Sequence, residues 1–480
     1  MKRIFASSCL SIAVLLASGG IATNTLAQAE GAEAPNVSVF DSAIYSNLFG
    51  TDEMRAVFSD EQLIKNWLLY ERVLADVQSQ YGVIPKKNAE AIAKAARYEN
   101  IDIKKLRKGT NKTGRSISTL TKLVRKAGGK DVSNYLHWGS TTQDVMDSAT
   151  ALQVKQGLEI LDRQLKTVIE QMAVLAEKHK ATLMVARTNG QQATPTTFGF
   201  RLASYMVELD RHRERIAQLM PRVAIGQSNG AVGTLAATGP KGLKVRKKVI
   251  EDLGLNVPVL PWNASRDHFA EAVAVTGLVH GTLGRLATDI NNWSRLEVGE
   301  VKEGEGGASS TMPQKKNPRA SEFMGGLAQM ARLRMSGMLE ITAHTDTRTG
   351  SPWIVEWSLI PEMFLITSAS LNRAERMFAK LEVYPERMKK NLALSEGYSM
   401  SESVMQHLAR KIGRNKAFKA VKSAIKKAEP GQSLRDIILT NPELKDHIGD
   451  DLDAVLAPEN YLGAAPEMVE QAVRHVRSRK

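Results

Sequence analysis

Cysteine and aromatic residues are scarce in this sequence. Among its 480 residues there is one cysteine, Cys9, and aromatic side chains account for only 5%. A single cysteine excludes an intramolecular disulfide framework and a metal site built from several thiolates. The low aromatic content, with abundant Ala, Leu, Met, Lys and Glu, favours helices over β-sheets. The sequence also lacks internal repeats, low-complexity tracts and the glycine fingerprint of a dinucleotide-binding fold.

Residues 1–29 have the pattern of a secretory signal peptide. Lys2 and Arg3 precede an apolar stretch over residues 4–22, and residues 25–29 offer small side chains for cleavage. The stretch is short and interrupted by Ser and Gly, which argues against a membrane anchor. We therefore predict a periplasmic or secreted protein that has no cysteine and no membrane attachment after cleavage.

Basic residues exceed acidic ones, 65 to 51, which gives a formal net charge of +14. Removal of Lys2 and Arg3 with the signal peptide would lower the charge to +12. The cations are spread along the chain rather than gathered in one arm or stripe. An anionic substrate and a solvated basic surface account for the excess, and we expect no nucleic-acid partner.

Helical periodicity dominates the rest of the chain. Ser59 lies three residues before Gln62, as in a capping box at the start of a helix. Apolar residues spaced by three and four predict long helices over residues 158–175, 202–219, 278–293 and 323–338. We predict an all-α fold built around a long antiparallel helical bundle. The predicted divisions are a signal peptide (1–29), an N-terminal helical domain (30–145), a central long-helix bundle (146–384) and a C-terminal helical domain (385–480).

Residues 303–318 combine glycines, hydroxyls and cations in one loop. A loop that brings a serine and a lysine onto a small anion is suited to removing a proton next to a carboxylate. We interpret Ser309 as the base, acting as an alkoxide stabilised by nearby cations and backbone donors. Lys315 and Asn317 would then hold the substrate carboxylate and stabilise the charge that spreads onto it.

Two further segments carry polar groups suited to an anion. In residues 136–147, hydroxyls and a glycine precede a long helix, where backbone N–H groups can bind an anion. By themselves these residues also make a good helix cap, so both interpretations stay open. Residues 186–199 combine Arg187 with amides and hydroxyls. For Arg266 and Arg348, an ordinary salt bridge competes with binding of an anionic group.

These segments resemble motifs of the fumarase/aspartase (fumarate lyase) superfamily. Residues 307–318 resemble its GSSxMPxKxNP loop, and residues 186–199 resemble its R-T-H-x-Q-x-A-x-P-x-T-F-G element. Residues 137–144 are similar to the HWGATSQD form of carboxymuconate cycloisomerases, and residues 261–268 to their PWHxxRD element. The resemblance extends from about residue 46 to about residue 421 and is closest to the 3-carboxy-cis,cis-muconate cycloisomerase and adenylosuccinate lyase branch.

The resemblance implies a three-domain, all-helical subunit that forms a homotetramer around a twenty-helix core. It implies active sites shared between subunits, a small polycarboxylate substrate, and neither a metal nor an organic cofactor. Catalytic roles are implied for Ser309, Lys315, Asn317 and His137. Substrate contacts are implied for Thr141, Thr142, Arg187, Asn189, Gln191, Ser310, Met312, Glu322 and Arg348.

Asn189 departs from the family pattern. Many relatives have a histidine there that pairs with a glutamate, matched here by Glu322, and acts as general acid. Asparagine cannot deliver a proton near neutral pH. Because an amine leaving group needs that proton and a carboxylate does not, Asn189 favours cycloisomerase-like or other carboxylate-leaving chemistry. Two alternatives stay open: an adenylosuccinate- or argininosuccinate-like C–N lyase releasing fumarate, and a non-catalytic carboxylate-binding relative. Asn263 and Phe418, which also stand where relatives often have histidine, favour the second of these.

Overall fold

The computed structural model describes residues 36–304 and 306–479. The predicted signal peptide and its cleavage sites lie outside these residues. Helices dominate the described chain, and its strands form three two-stranded sheets. The predicted all-α class is confirmed.

Shorter helices form the N-terminal part. Oγ of Ser59 accepts the N–H of Gln62 at 3.2 Å, and the third helix begins at the next residue, as the capping pattern predicts. Leu68 and Leu74 of that helix are buried in the main core. These helices are α1 (Ser46–Phe49), α2 (Asp52–Phe58), α3 (Asp60–Gln80), α4 (Lys86–Ala95), α5 (Ile103–Thr113) and α6 (Ile117–Ser133).

Long helices form the central bundle and contain every predicted long helix. Leu158, Leu161 and Leu165 are completely buried, as their spacing predicts. The predicted boundary between residues 145 and 146 falls inside the first helix of the bundle. The bundle helices are α7 (Thr142–Lys178), α8 (Phe198–Val223), α10 (Asp267–Ser294), α11 (Arg319–Glu340) and α12 (Gly350–Ala379). The shorter helix α9 (Gly242–Asp252) lies between α8 and α10 in the chain and packs against α3.

Helix α12 is long and apolar enough, by length and composition, to cross a membrane. It packs instead against α7, α10 and α11 inside the bundle. Ile360, Phe364 and Leu371 on this helix are buried in the main core. Its apolar composition therefore belongs to a core helix.

Three small antiparallel sheets connect the helices. The first is a hairpin of β1 (Leu183–Thr188) and β2 (Gln191–Thr197) between α7 and α8. β3 (Val301–Lys302) pairs with β6 (Glu382–Val383). β4 (Gly307–Ala308) pairs with β5 (Lys316–Asn317) just before α11.

The C-terminal part has its own hydrophobic core, formed by apolar residues between Met400 and Val455. The last helix leaves this core and packs against α7 and α8, where Val469, Val473 and Val476 are buried in the main core. The predicted domain 385–480 therefore contains a separate core and a helix that returns to the bundle. Its helices are α13 (Pro385–Ala393), α14 (Ser401–Ile412), α15 (Arg414–Lys426), α16 (Leu434–Thr440), α17 (Pro442–Ile448), α18 (Leu452–Leu456) and α19 (Ala465–Ser478).

Candidate active site

The predicted site segments lie at opposite ends of the bundle. Residues 137–141 precede α7 and the β1–β2 hairpin follows it, and α7 has 37 residues. At about 1.5 Å per residue, this helix separates the two segments by about 55 Å. The loop at 307–318 precedes α11 at the hairpin end, and Arg348 follows α11 at the other end. One chain therefore cannot bring all the segments into one site.

His137 is held by a buried carboxylate. Its Nδ1 lies 2.6 Å from Oε1 of Glu71, whose side chain is 1% exposed. Burial lowers the pKa of His137, but the charge and hydrogen bond of Glu71 and the charge of Asp144 outweigh that effect and raise the pKa above its ordinary value. The environment of His137 therefore favours its cationic form.

Asp144, in the first turn of α7, connects this segment to the following loop. Its carboxylate accepts the backbone N–H groups of Thr141 at 3.1 Å, Asn229 at 3.0 Å and Gly230 at 2.9 Å. Burial raises the pKa of Asp144 to about 6, and the three N–H donors oppose that rise. Thr141 is the N-cap residue of α7, so the helix-cap interpretation is confirmed. Binding of an anion there stays a prediction.

Arg348 lies against the same end of α7. Its Nη1 donates to Oε1 of Gln143 at 3.4 Å, and Gln143 directly follows the two predicted threonines. Thr141 and Thr142 are half-buried. The structure therefore brings His137, Thr141, Thr142 and Arg348 to one end of the bundle within a single chain.

Arg266 forms buried ion pairs within the chain. It is therefore neither in a surface salt bridge nor open to an anionic ligand. Its guanidinium donates to both carboxylate oxygens of Asp147, at 2.8 and 3.1 Å, and to both of Glu356, at 2.6 and 2.5 Å. All three side chains are at most 2% exposed. Burial lowers the pKa of Arg266, but the two carboxylates outweigh it and raise the pKa. This ion cluster fixes the starts of α7, α10 and α12 to one another.

Arg187 fixes the hairpin to the strand that leads into the loop. Its Nη1 and Nη2 donate to the carboxylate of Glu300 at 2.9 and 2.7 Å, and Glu300 is buried. Nδ2 of Asn391 donates to the same carboxylate at 2.9 Å. The guanidinium of Arg187 therefore has a structural role in the chain, and its contact with substrate stays a prediction.

Asn189 and Gly190 form the tip of the hairpin. Their φ angles are 52° and 78°, so both central residues of this two-residue turn are left-handed. Asn-Gly is the sequence that such a turn prefers. Asn189 thus has a conformational role in addition to replacing a histidine. The tip and Gln191 are exposed, so another chain can reach them.

Ser309 accepts two backbone hydrogen bonds at the start of the predicted catalytic loop. Its Oγ accepts the N–H of Thr311 at 3.3 Å and that of Met312 at 3.0 Å. Ser310 and Lys315 are exposed in the same loop. Two N–H donors aimed at one oxygen stabilise negative charge on it, as an alkoxide base requires.

A buried carboxylate closes the root of this loop. Glu303 accepts the backbone N–H groups of Ala320 and Ser321, both at 3.0 Å, and so caps α11. A Cβ at Gly304 would lie 2.1 Å from Cβ of Lys380, so only glycine fits there. Both ends of the loop are therefore held in place by the rest of the chain.

The remaining predicted residues lie around this loop. Asn317 is half-buried in β5, and the side chain of Met312 is exposed. Glu322, in the first turn of α11, pairs with Arg319 at 2.5 Å. Among the described residues of one chain, no contact joins Glu322 to Asn189, so the pair inferred from relatives does not form within a single chain.

Cavities of the single chain do not unite these segments. A cavity of about 650 Å³ lies between the N-terminal helices, α7 and α12, and none of the predicted site residues is among the described residues that line it. A second cavity, of about 420 Å³, lies beneath the hairpin and includes Arg187, Arg201 and Asp289. The candidate residues therefore form open surfaces at the two ends of the bundle.

Known families match most of this architecture. A family model described as lyase matches residues 49–332, and one described as the adenylosuccinate lyase C-terminus matches residues 397–472. The chain belongs to the fumarate lyase superfamily. Because named lyases and cycloisomerases of this superfamily are similar to it over nearly their whole length, the chain is an enzyme of that superfamily.

Relatives of this fumarate lyase superfamily enzyme differ in reaction. It is 36% identical to the 3-carboxy-cis,cis-muconate cycloisomerase of Pseudomonas aeruginosa, over 90% of this chain and 95% of that one. It is 35% identical to the N-acetyl-S-(2-succino)cysteine lyase of Dickeya dadantii, over 91% of this chain and 97% of that one. The solved 3-carboxy-cis,cis-muconate lactonizing enzyme of Pseudomonas putida matches with a TM-score of 0.85 at 32% identity, covering 91% of this chain and 99% of that one.

We expect replacement of Arg266 by leucine to destabilise this superfamily enzyme by about 3–5 kcal/mol, because two buried carboxylates would lose their cation. Urea unfolding would measure the change. Arg285→Leu is the matched control: Arg285 pairs with Glu208 but is 59% exposed, so its loss should cost no more than about 1 kcal/mol. Equal effects of the two substitutions would contradict a special role of the buried cluster.

Proposed function

We propose that this enzyme is exported and removes a proton beside a substrate carboxylate, expelling a leaving group that departs as a stable anion. Its substrate is a small polycarboxylate, and its chemistry is like that of the carboxymuconate cycloisomerases. The observation that carries this proposal is Ser309, whose Oγ accepts two backbone N–H groups in a loop that also presents Lys315 and Lys316.

Asn189 limits the leaving groups that this site can expel. An amine must take up a proton as the C–N bond breaks, because without one it would leave as an amide anion, a far stronger base than a carboxylate or a thiolate. A carboxylate, with a pKa of about 4, or a thiolate, with a pKa of about 8.5, leaves without full protonation. The cycloisomerase and the succinocysteine lyase relatives are named for substrates of these two kinds. We therefore infer opening of a lactone, or cleavage of a thioether, ahead of C–N cleavage. In the reverse, lactone-closing direction the carboxylate adds to one carbon and the neighbouring carbon takes up the proton.

The distance between the segments supports an active site that is shared between subunits. Residues 137–142 and the loop at 307–318 lie at opposite ends of a bundle about 55 Å long. The long helices also expose apolar side chains that a second copy would cover, namely Leu278, Leu333, Leu339 and Ile354. We infer a homotetramer in which His137 of one subunit meets the loop of another.

Replacement of Ser309 by alanine should reduce turnover by about 10²–10⁴-fold, because the base is removed. The free energy of unfolding, measured by thermal denaturation, should change by less than about 0.5 kcal/mol, because the loop is exposed. Ser310→Ala is the comparison variant, since Ser310 is the adjacent, exposed hydroxyl; with only a substrate contact implied for it, it should retain more activity than Ser309→Ala. Full activity of Ser309→Ala with loss of activity in Ser310→Ala would move the base to Ser310; activity in both variants would refute a serine base in this loop.

A substrate panel should separate the reaction types. We expect turnover of S-succinyl thioethers or of carboxymuconate and its lactone, and turnover of N-succinyl amines at least about 10²-fold slower, since the acid is missing. Fumarate absorbance detects both eliminations, and loss of the conjugated diene detects lactone formation. Preferred cleavage of an N-succinyl amine would overturn the leaving-group argument. Tight binding of polycarboxylates without any product would indicate a non-catalytic relative.

Two inactive variants should restore activity when mixed. His137→Gln and Ser309→Ala each damage a different end of the bundle, so a mixed tetramer contains some sites with neither defect. Co-refolding in equal amounts should recover activity in up to about a quarter of the sites. Each variant refolded alone is the control. Absence of recovery in a tetramer confirmed by light scattering would refute the shared site.

A further inference from the structure

We propose that Glu71 acts as a positioning residue that keeps His137 protonated, so that Nε2–H of His137 binds an anionic group of the substrate. This inference rests on the proposed function. It concerns Glu71, which lies outside the four motif segments identified in the sequence. The pair joins α3 to the segment before α7, at 2.6 Å between Nδ1 and Oε1.

The burial of the Glu71 carboxylate favours a positive charge on its partner. Its side chain is 1% exposed, and Oε2 has no hydrogen-bond partner among the described residues. A buried carboxylate with one open oxygen is costly unless a cation neutralises it. His137 is its hydrogen-bonded partner, and an imidazole can take up a proton near neutral pH.

The charges around His137 carry the second step. Asp144 from α7 adds to the attraction of Glu71 from α3, whereas Arg125 from α6 opposes both. Nη2 of Arg125 is directed to the carbonyl of Leu136 at 3.4 Å. Two carboxylates against one guanidinium leave a net field that favours imidazolium, and the raised pKa of His137 agrees with this geometry.

The position of His137 carries the third step. Because Nδ1 is engaged by Glu71, Nε2 is the ring nitrogen that can meet a ligand. The His137 side chain is 19% exposed and lies at the end of the bundle that also presents Thr141, Thr142 and Arg348. An imidazolium there completes an anion site with one hydrogen bond to a charged donor, which is stronger than one to a neutral donor.

The pH dependence follows from the sign of this coupling. Glu71 stabilises the protonated form, so the cationic site is present at low pH and is lost as pH rises through the elevated pKa of His137. In Glu71→Gln the amide keeps the hydrogen bond but not the charge, and the loss should begin at lower pH. We expect ligand affinity at pH 8 to fall about tenfold, with recovery towards the wild-type value at pH 5.5.

Calorimetric binding of propane-1,2,3-tricarboxylate by the full-length protein tests this directly, and it requires no turnover. Wild type, Glu71→Gln, His137→Gln and the double variant would each be titrated from pH 5.5 to 9. If Glu71 acts through His137, its substitution has no further effect in the His137→Gln background. A pH-independent loss in Glu71→Gln, or additive effects in the double variant, would overturn the proposal.

Tyr70→Phe is the packing control. Tyr70 neighbours Glu71 and its hydroxyl lies 3.1 Å from Oγ of Ser140, but the substitution changes no charge. It should leave the alkaline limb of the binding profile in place. If Glu71→Gln does not fold, His137→Gln alone still tests the charge: an unaltered alkaline limb in that variant would also overturn the proposal. Binding that follows these rules without any turnover would leave this inference standing and sink the proposed reaction.

Discussion

A fully buried ion cluster sets the geometry of the bundle end that gathers the candidate anion-binding residues. Arg266 at the start of α10 binds Asp147 of α7 and Glu356 of α12 together. Each of these charges would be costly alone in the interior, so the three helix starts can move only as a unit. Asp147 lies less than two turns from the N-cap residue Thr141. The position of the predicted anion site therefore depends on a buried ion cluster within the chain.

The helices were predictable from the sequence because their cause is local. Apolar spacing and a cap such as Ser59 act over a few residues, and the structure places helices at every position that these patterns predict. The β1–β2 hairpin escaped prediction because β1 has only a short apolar stretch, Leu183 to Ala186, and β2 is rich in polar residues, so neither strand shows a regular alternation. The signal was present in Asn189-Gly190, a pair typical of tight hairpin turns. Asn189 therefore has a local conformational cause that is independent of the histidine found at this position in many relatives.

The ion pairs that position the candidate site could not be predicted, because they join residues that are far apart in the sequence. Glu71 and His137 are 66 residues apart, and Asp147 and Arg266 are 119 apart. No local pattern specifies such pairs, since they depend on how whole helices pack. Motif resemblance located the candidate catalytic residues and implied a substrate contact for Arg187, but it did not reveal the ion pair of Arg187 with Glu300. A sequence motif identifies the residues, whereas only the structure shows which of them already form ion pairs or hydrogen bonds within the chain.

The return of α19 to the bundle gives the small C-terminal unit two points of attachment. The chain enters that unit through α13, whose Met388 is buried in the main core, and leaves it through α19, where Arg477 also binds Glu170 at 2.9 Å. A module anchored at both ends cannot swing freely as a terminal appendage would. Its core shares no residue with the main core, so a cavity made inside the small unit is expected to loosen that unit without opening the bundle.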